Sequence, residues 1–246
     1  MSVVITIGRQ KGSGGLDIGK KIAEKLGIPC YDKELVEMAA EKSNLSPEAL
    51  KNADERATNS FLYSVANGGL SFHGLHTPTP YDMPINDKLF IAQSEVIKEM
   101  ASKGDCVIVG RSADYVLQEE EKVDVLSVFI YGSLDYRIKR ISNETGLSNS
   151  KARDLAVKTD KRRRTYYEYY TSNDWGVMSN YDMCLSSERL GLDEAVDVII
   201  DYVKKKSIAI TKLLFFIVHP PLVIIVLFFR LRFLFFVYFH YISIAI

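Results

Sequence analysis

The stretch from Val3 to Leu26, VVITIGRQKGSGGLDIGKKIAEKL, constrains this chain more than any other, because an apolar run passes through glycines directly into an amphipathic helix. Val3, Val4, Ile5 and Ile7 are β-branched and read as a buried strand, while Ile18, Ile22, Ala23 and Leu26 recur at helical spacing. Between them lie Gly8, Gly12, Gly14 and Gly15, with Arg9, Lys11 and Ser13 in the same loop. Glycine lets the backbone take positive φ and bring successive N–H groups around an anion, and the first turn of the following helix adds unpaired N–H groups at the positive end of its dipole. A tight strand-to-helix turn also calls for glycine without any ligand. The position of this one at the edge of a βα unit, with two cations and a hydroxyl in it, predicts a phosphate cradle.

The cradle departs from the usual signature. The motif G-x-x-x-x-G-K-[ST] places a lysine on the β/γ-phosphates and a hydroxyl on magnesium. With Arg9 to Gly14 set against its loop, the lysine position holds Gly15 and the hydroxyl position holds Leu16. The dinucleotide fingerprint fails as well, since Gly12-x-Gly14 is not followed by glycine or alanine at position 17. Lys11 is the loop cation available to replace the missing lysine; Lys20 and Lys21 sit a turn or more into the helix.

At 246 residues the chain can bury a full core, with one domain of about 200 residues and an appendage. Up to Thr211 it carries 28 basic against 31 acidic residues, a net of −3, which argues against a general polyanion-binding surface and so against nucleic acid as a partner. Cys30, Cys106 and Cys184 are odd in number, far apart and set in apolar contexts; they predict core thiols in a reducing, cytoplasmic compartment rather than disulfides or a metal site. No secretory signal opens the sequence, because the first apolar run is short and ends in glycines.

Further along, Ile28-Pro29-Cys30-Tyr31-Asp32 reads as a short second strand ending in a carboxylate, followed by a helix from Lys33 to Ser43. Asp32 either faces a ligand, where it orients magnesium or a ribose, or caps that helix. Ser46-Pro47-Glu48 reads as another helix start. Residues 59–84 are rich in Gly, Ser, Thr, His and Pro and read as a lid or binding segment; His73 and His76 lie in it without a third metal ligand. Helical spacing resumes from Leu89 to Ala101. Cys106-Val107-Ile108-Val109 then forms a buried strand emerging in Gly110-Arg111-Ser112, where an arginine at the strand mouth is placed to fork onto phosphate, with Asp114 in reach.

Residues 125–130 make a fourth strand and Asp182-Met183-Cys184-Leu185-Ser186 a fifth. Between them a polar helix carries Asp135, Arg137, Lys139 and Arg140, and a second opens at Ser148 and bears Asp160-Lys161-Arg162-Arg163-Arg164. Such a basic run is either a solvated face or a set of cations around a transferring phosphoryl group. Tyr166, Tyr167, Tyr169, Tyr170 and Trp175 read mainly as packing of that helix, with base stacking the alternative. A last amphipathic helix runs through Leu192, Val196, Ile199, Ile200 and Val203 to Lys204-Lys205-Lys206. Strands alternating with helices predict the α/β class, a parallel sheet between helices with its ligand crevice at the strands' carboxyl ends.

ITIGRQKGSGGLDIGKKIAEKLG, YDKEL, VGRSADYVL, DKRRRTYYEYYTSNDWG and NYDMCLSSERLG together resemble the cytidylate kinase-like family, over nearly all of residues 1–206. The resemblance implies a P-loop fold with a five-stranded parallel sheet and a helical, arginine-bearing lid. It also implies phosphoryl transfer from ATP, with Mg2+, to CMP or dCMP. Carried over position by position, Gly12, Ser13 and Gly14 fall on the family's phosphate loop, Gly110 and Arg111 on the block whose arginine holds the acceptor monophosphate, and Arg162, Arg163 or Arg164 on the lid cations. Beside them Gly8, Arg9 and Gly15 are expected at the ATP phosphates, Asp32 and Asp114 at the acceptor nucleotide, and Lys11 as the loop's catalytic charge. Gly15 in place of lysine leaves open a nucleotide-binding regulator without turnover, or another small-molecule kinase. Ser112 in place of the family's aspartate bears on base selectivity.

The tail, residues 207–246, is a different kind of sequence. Residues 213–229 are apolar except for His219-Pro220-Pro221, and residues 233–246 are apolar again. This is either a membrane anchor, interrupted by its prolines and held on the cytoplasmic side by Lys204–Lys206 and Lys212, or a stretch that is no selected structural element. The domain division expected is therefore 1–206 and 207–246.

Overall fold

The computed structural model of the chain describes residues 2–43 and 84–218. The expected helix start at Ser46, His73 and His76, nearly all of the expected lid segment 59–84 and the tail beyond Val218 lie outside them. Two compact units are resolved, Met1–Val198 and Ile199–Ile246.

The first unit is built on a five-stranded parallel sheet of order β2-β3-β1-β4-β5, made of β1 (Ser2–Arg9), β2 (Cys30–Tyr31), β3 (Cys106–Val109), β4 (Val123–Tyr131) and β5 (Met183–Ser186). β1 is central, pairing Val4 to Ile7 with Cys106 to Val109 on one side and Ser2 to Arg9 with Val123 to Ile130 on the other. Helices cover both faces. Val4, Cys106 and Ile108 pack into one cluster with Leu35 and Ala39 of α2 (Glu34–Ser43), Leu89, Val96 and Ile97 of α3 (Ile85–Lys103), and Ala113 of the short α4 (Ala113–Val116). The opposite face meets α1 (Gly15–Leu26), whose Gly19 lies against Ile7, Val107 and Val109. This is why β1 and β3 read as continuous apolar runs rather than alternating ones. Each of Val4, Ile5, Ile7 and Ile108 is fully buried, which is worth roughly 1.5–3 kcal/mol per side chain.

Beyond β4 come α5 (Leu134–Thr145), capped by the Ser133 hydroxyl accepting from the Tyr136 N–H, and the long α6 (Asn149–Thr171). Ile138 and Ile141 of α5 meet Ala152 and Ala156 of α6 in a separate small core. α7 (Ser187–Leu190) follows β5. The last helix, α8, runs Leu192–Val218 rather than stopping at the lysines. Lysine is a good helix former, and no glycine or proline interrupts residues 207–218. Among the described residues no helix is long and apolar enough to cross a membrane; the expected anchor, residues 213–246, lies almost wholly outside them.

Candidate functional site

The glycine turn after β1 is fixed by its own backbone. Gln10 N–H donates to the Ile130 carbonyl at 3.0 Å, and the Gln10 side-chain carbonyl accepts from Gly132 N–H at 3.1 Å, tying the turn to the end of β4. The buried Ser13 folds back, its hydroxyl donating to the Gln10 carbonyl at 2.9 Å. Gly12 and Gly14 both hold φ near +82°, the left-handed region that costs an ordinary residue about 1–2 kcal/mol. Gly14 caps α1 with no side-chain hydrogen bond, so the first amides of that helix point into the turn without a side-chain acceptor.

Two residues expected in this turn belong elsewhere. Gly8 and Arg9 continue β1, because they pair with Phe129 and Ile130 of β4. A Cβ at Gly8 would fall 2.8 Å from the Phe129 ring, so its glycine identity answers to an aromatic wall. Arg9 is 9% exposed and turns toward the end of β3, where a Cβ at Gly110 would fall 2.0 Å from its Nη1. Its Nη2 lies 3.5 Å from Asp32 Oδ1, and Arg111 Nη2 lies 3.9 Å from the same oxygen. Asp32 thus stands beside two guanidiniums, while Lys33 supplies the carbonyl that starts α2.

Gly110, Arg111 and Ser112 follow β3 with three consecutive left-handed φ angles of 81°, 61° and 52°. Two of these are not glycine, and each such residue stores strain of about 1–3 kcal/mol that the surrounding fold must hold. The Ser112 hydroxyl is buried and finds no hydrogen-bond partner among the described residues. Asp114 Oδ2 accepts from the Tyr167 hydroxyl at 2.7 Å. Burial pushes the Asp114 carboxyl above the usual carboxylate range against the opposing pull of that bond, and burial beside Asp114 raises the Tyr167 phenol in turn.

The helix α6 brings one arginine of its Arg162–Arg164 run to this cleft. Successive helical residues are turned by about 100°, so a run of three cannot share a target. Arg163 Nη1 donates to the Arg9 carbonyl at 3.1 Å. Arg162 is exposed, and Arg164 stands 6.0 Å over the Trp175 ring with Glu168 3.8 Å away. The resulting cleft is lined by Gly8, Arg9, Arg111, Asp114 and Arg163, with Tyr166, Tyr167 and Trp175 as walls. Packing accounts for the other tyrosines: Tyr170 stacks on Phe90 of α3 at 4.1 Å and donates to Asp87 at 2.7 Å.

Lys11 is held by its backbone. Its N–H donates to Asp160 Oδ1 at 2.7 Å and its carbonyl accepts from Arg137 Nη1 at 3.1 Å. Arg137 also donates to Asp160 Oδ2 at 2.6 Å and, from Nε, to the Gly132 carbonyl at 3.0 Å. Arg140 reaches the turn too: a Cβ at Gly14 would stand 3.3 Å from its guanidinium carbon. Neither arginine was singled out from the sequence as a site residue. Arg137 lies four residues before Ile141, on the apolar side of its helix, and an arginine at such a position is the signal that was there to read. Lys21 pairs with Asp193 at the start of α8.

Magnesium finds no hydroxyl at position 16, which is Leu16, and the Ser13 hydroxyl donates to the Gln10 carbonyl. Among the described residues no group of three His, Cys, Asp or Glu side chains could hold a metal. An ion carried on nucleotide phosphates, with water completing its shell, fits these residues.

The model of the cytidylate kinase-like family matches residues 4–189, about three quarters of the chain. Cytidylate kinases of Pyrobaculum aerophilum and Archaeoglobus fulgidus are 26% and 25% identical, over 81% and 84% of this chain and 92% and 97% of their own lengths. The crystal structure of an uncharacterized protein from Eubacterium ventriosum superposes with a TM-score of 0.59 at 28% identity, covering 82% of this chain and 98% of that one.

Proposed function

This chain belongs to the cytidylate kinase-like family, and we propose that it transfers the γ-phosphoryl group of ATP to a nucleoside monophosphate, with CMP and dCMP as the leading acceptors. The observation that carries the reading is the convergence of Arg9, Arg111 and Arg163, from three separate elements, on one cleft beside the glycine turn. In the reaction an acceptor phosphate oxygen bonds to the γ-phosphorus as the bond to the bridging oxygen of the departing ADP breaks. Such a transfer needs positioning and charge neutralisation and no protein nucleophile. The turn amides hold the donor phosphates, Arg111 the acceptor phosphate, and Arg163 the transferring group, while Asp114 and the Tyr167 and Trp175 walls face the acceptor nucleoside.

A second reading, a nucleotide-binding regulator without turnover, is favoured by Gly15 at the lysine position. Incubating the full chain with ATP, Mg2+ and a panel of monophosphates separates the two. ADP formed with one pyrimidine monophosphate and not in its absence is the expected result. Tight ATP binding with no ADP from any acceptor would establish the regulator instead.

A further inference from the structure

Position 9 is where the phosphate-loop signature has its first glycine, and position 15 is where it has its lysine; here these hold Arg9 and Gly15. The two positions are sterically coupled. A Cβ at Gly15 would lie 2.5 Å from Arg9 Cβ and 3.1 Å from its Cγ, so no side chain at 15 coexists with this arginine. The Arg9 guanidinium does not return to the space a lysine at 15 would serve. It crosses to the end of β3, passing Gly110 so closely that a Cβ there would touch it, and comes to rest beside Asp32 and Arg111. Its own carbonyl is the group on which Arg163 of α6 docks.

We propose that the cation missing from position 15 has been moved to Arg9, and that it grips the acceptor's phosphate together with Arg111 rather than the β/γ-phosphates of ATP. Asp32 is the positioning residue that holds the two guanidiniums side by side. An incoming phosphate group competes with Asp32 for both, and two guanidinium forks match the oxygens of one phosphate group. Lys11 is then not the replacement cation. This inference rests on the kinase reading for the identity of the acceptor, but not for its test.

Calorimetric binding of CMP and of ATP to the full chain is measured for wild type, Arg9→Gln and Arg9→Lys, with a thermal melt of each. Arg9→Gln is expected to weaken CMP at least tenfold while ATP stays within threefold, and Arg9→Lys to recover part of the CMP loss. CMP binding within twofold of wild type in Arg9→Gln, or an equal loss for both nucleotides, overturns the proposal. If wild type binds CMP with this dependence yet makes no ADP, the kinase reading fails and the role of Arg9 stands.

The swap is tested in reverse with Gly15→Lys and with Gly15→Lys combined with Arg9→Gly. The single variant is expected to lose ATP binding or melt lower. The double is expected to regain ATP binding by at least tenfold over the single while CMP stays weak. A double variant no better than Gly15→Lys overturns the coupling of the two positions.

Discussion

Asp114 is a carboxylate whose environment works against its charge. Its carboxyl is raised above the ordinary 3.8, first by burial, with the Tyr167 bond opposing. Between the unfolded and folded values the native state therefore binds more protons than the unfolded chain, and stability falls as pH rises through that window. Asp114→Asn keeps an acceptor for the Tyr167 hydroxyl and removes the titration. Urea denaturation from pH 4 to 7 should show a flatter profile for the variant, with the gain at the high-pH end; an unchanged slope would assign the dependence elsewhere. The thiols also depart from their ordinary value, with Cys30 pushed up to about 11 and Cys106 to about 12 by burial; Cys106 is a core residue as expected, whereas Cys30 and Cys184 are only half-buried.

At the scale of elements, two contacts decide how the turn is held. Gly19 sits inside α1 where alanine would be the better helix former by about 1 kcal/mol. A Cβ there would stand 2.9 Å from Val109 and 3.1 Å from Ile7, and overpacking a close-packed core costs about 1–3 kcal/mol. Gly19→Ala should thus lower stability by about 1 kcal/mol in urea denaturation, against its helix propensity.

The second contact is Arg137 with Asp160, which joins α5, α6 and the Lys11 backbone. Their side chains are 8% and 15% exposed, so removing one strands the other. Arg137→Met should destabilise by about 2–4 kcal/mol. Adding Asp160→Leu should recover part of this, and a double-mutant cycle reads the coupling; strict additivity of the two losses would show that the pair acts independently.

For the whole molecule, the proposed cleft predicts linkage between ligand and fold. Ligand at a hundred times its Kd adds about 2.7 kcal/mol, which for a chain of 246 residues corresponds to about 5–10 °C in Tm. ATP with CMP should raise Tm by this order, and a melt unmoved by either nucleotide at millimolar concentration would count against the cleft. At this scale the sequence already carried the layered α/β architecture, since strand and helix periods alternate and covered parallel strands must read as unbroken apolar runs. It also marked the glycine turn and the arginine at the mouth of β3, because both depend on neighbours within a few residues. The division of labour among cations was not legible. Arg9 looked like a loop residue until strand pairing with β4 carried it onward, Arg137 looked polar until α6 packed on it, and three adjacent arginines looked equivalent until the helix set Arg163 alone on the Arg9 carbonyl. Local order follows from residue type and period, whereas the direction of a long charged side chain depends on which distant backbone leaves it room, as Gly15 and Gly110 do for Arg9, and only the folded chain brings those distant residues together.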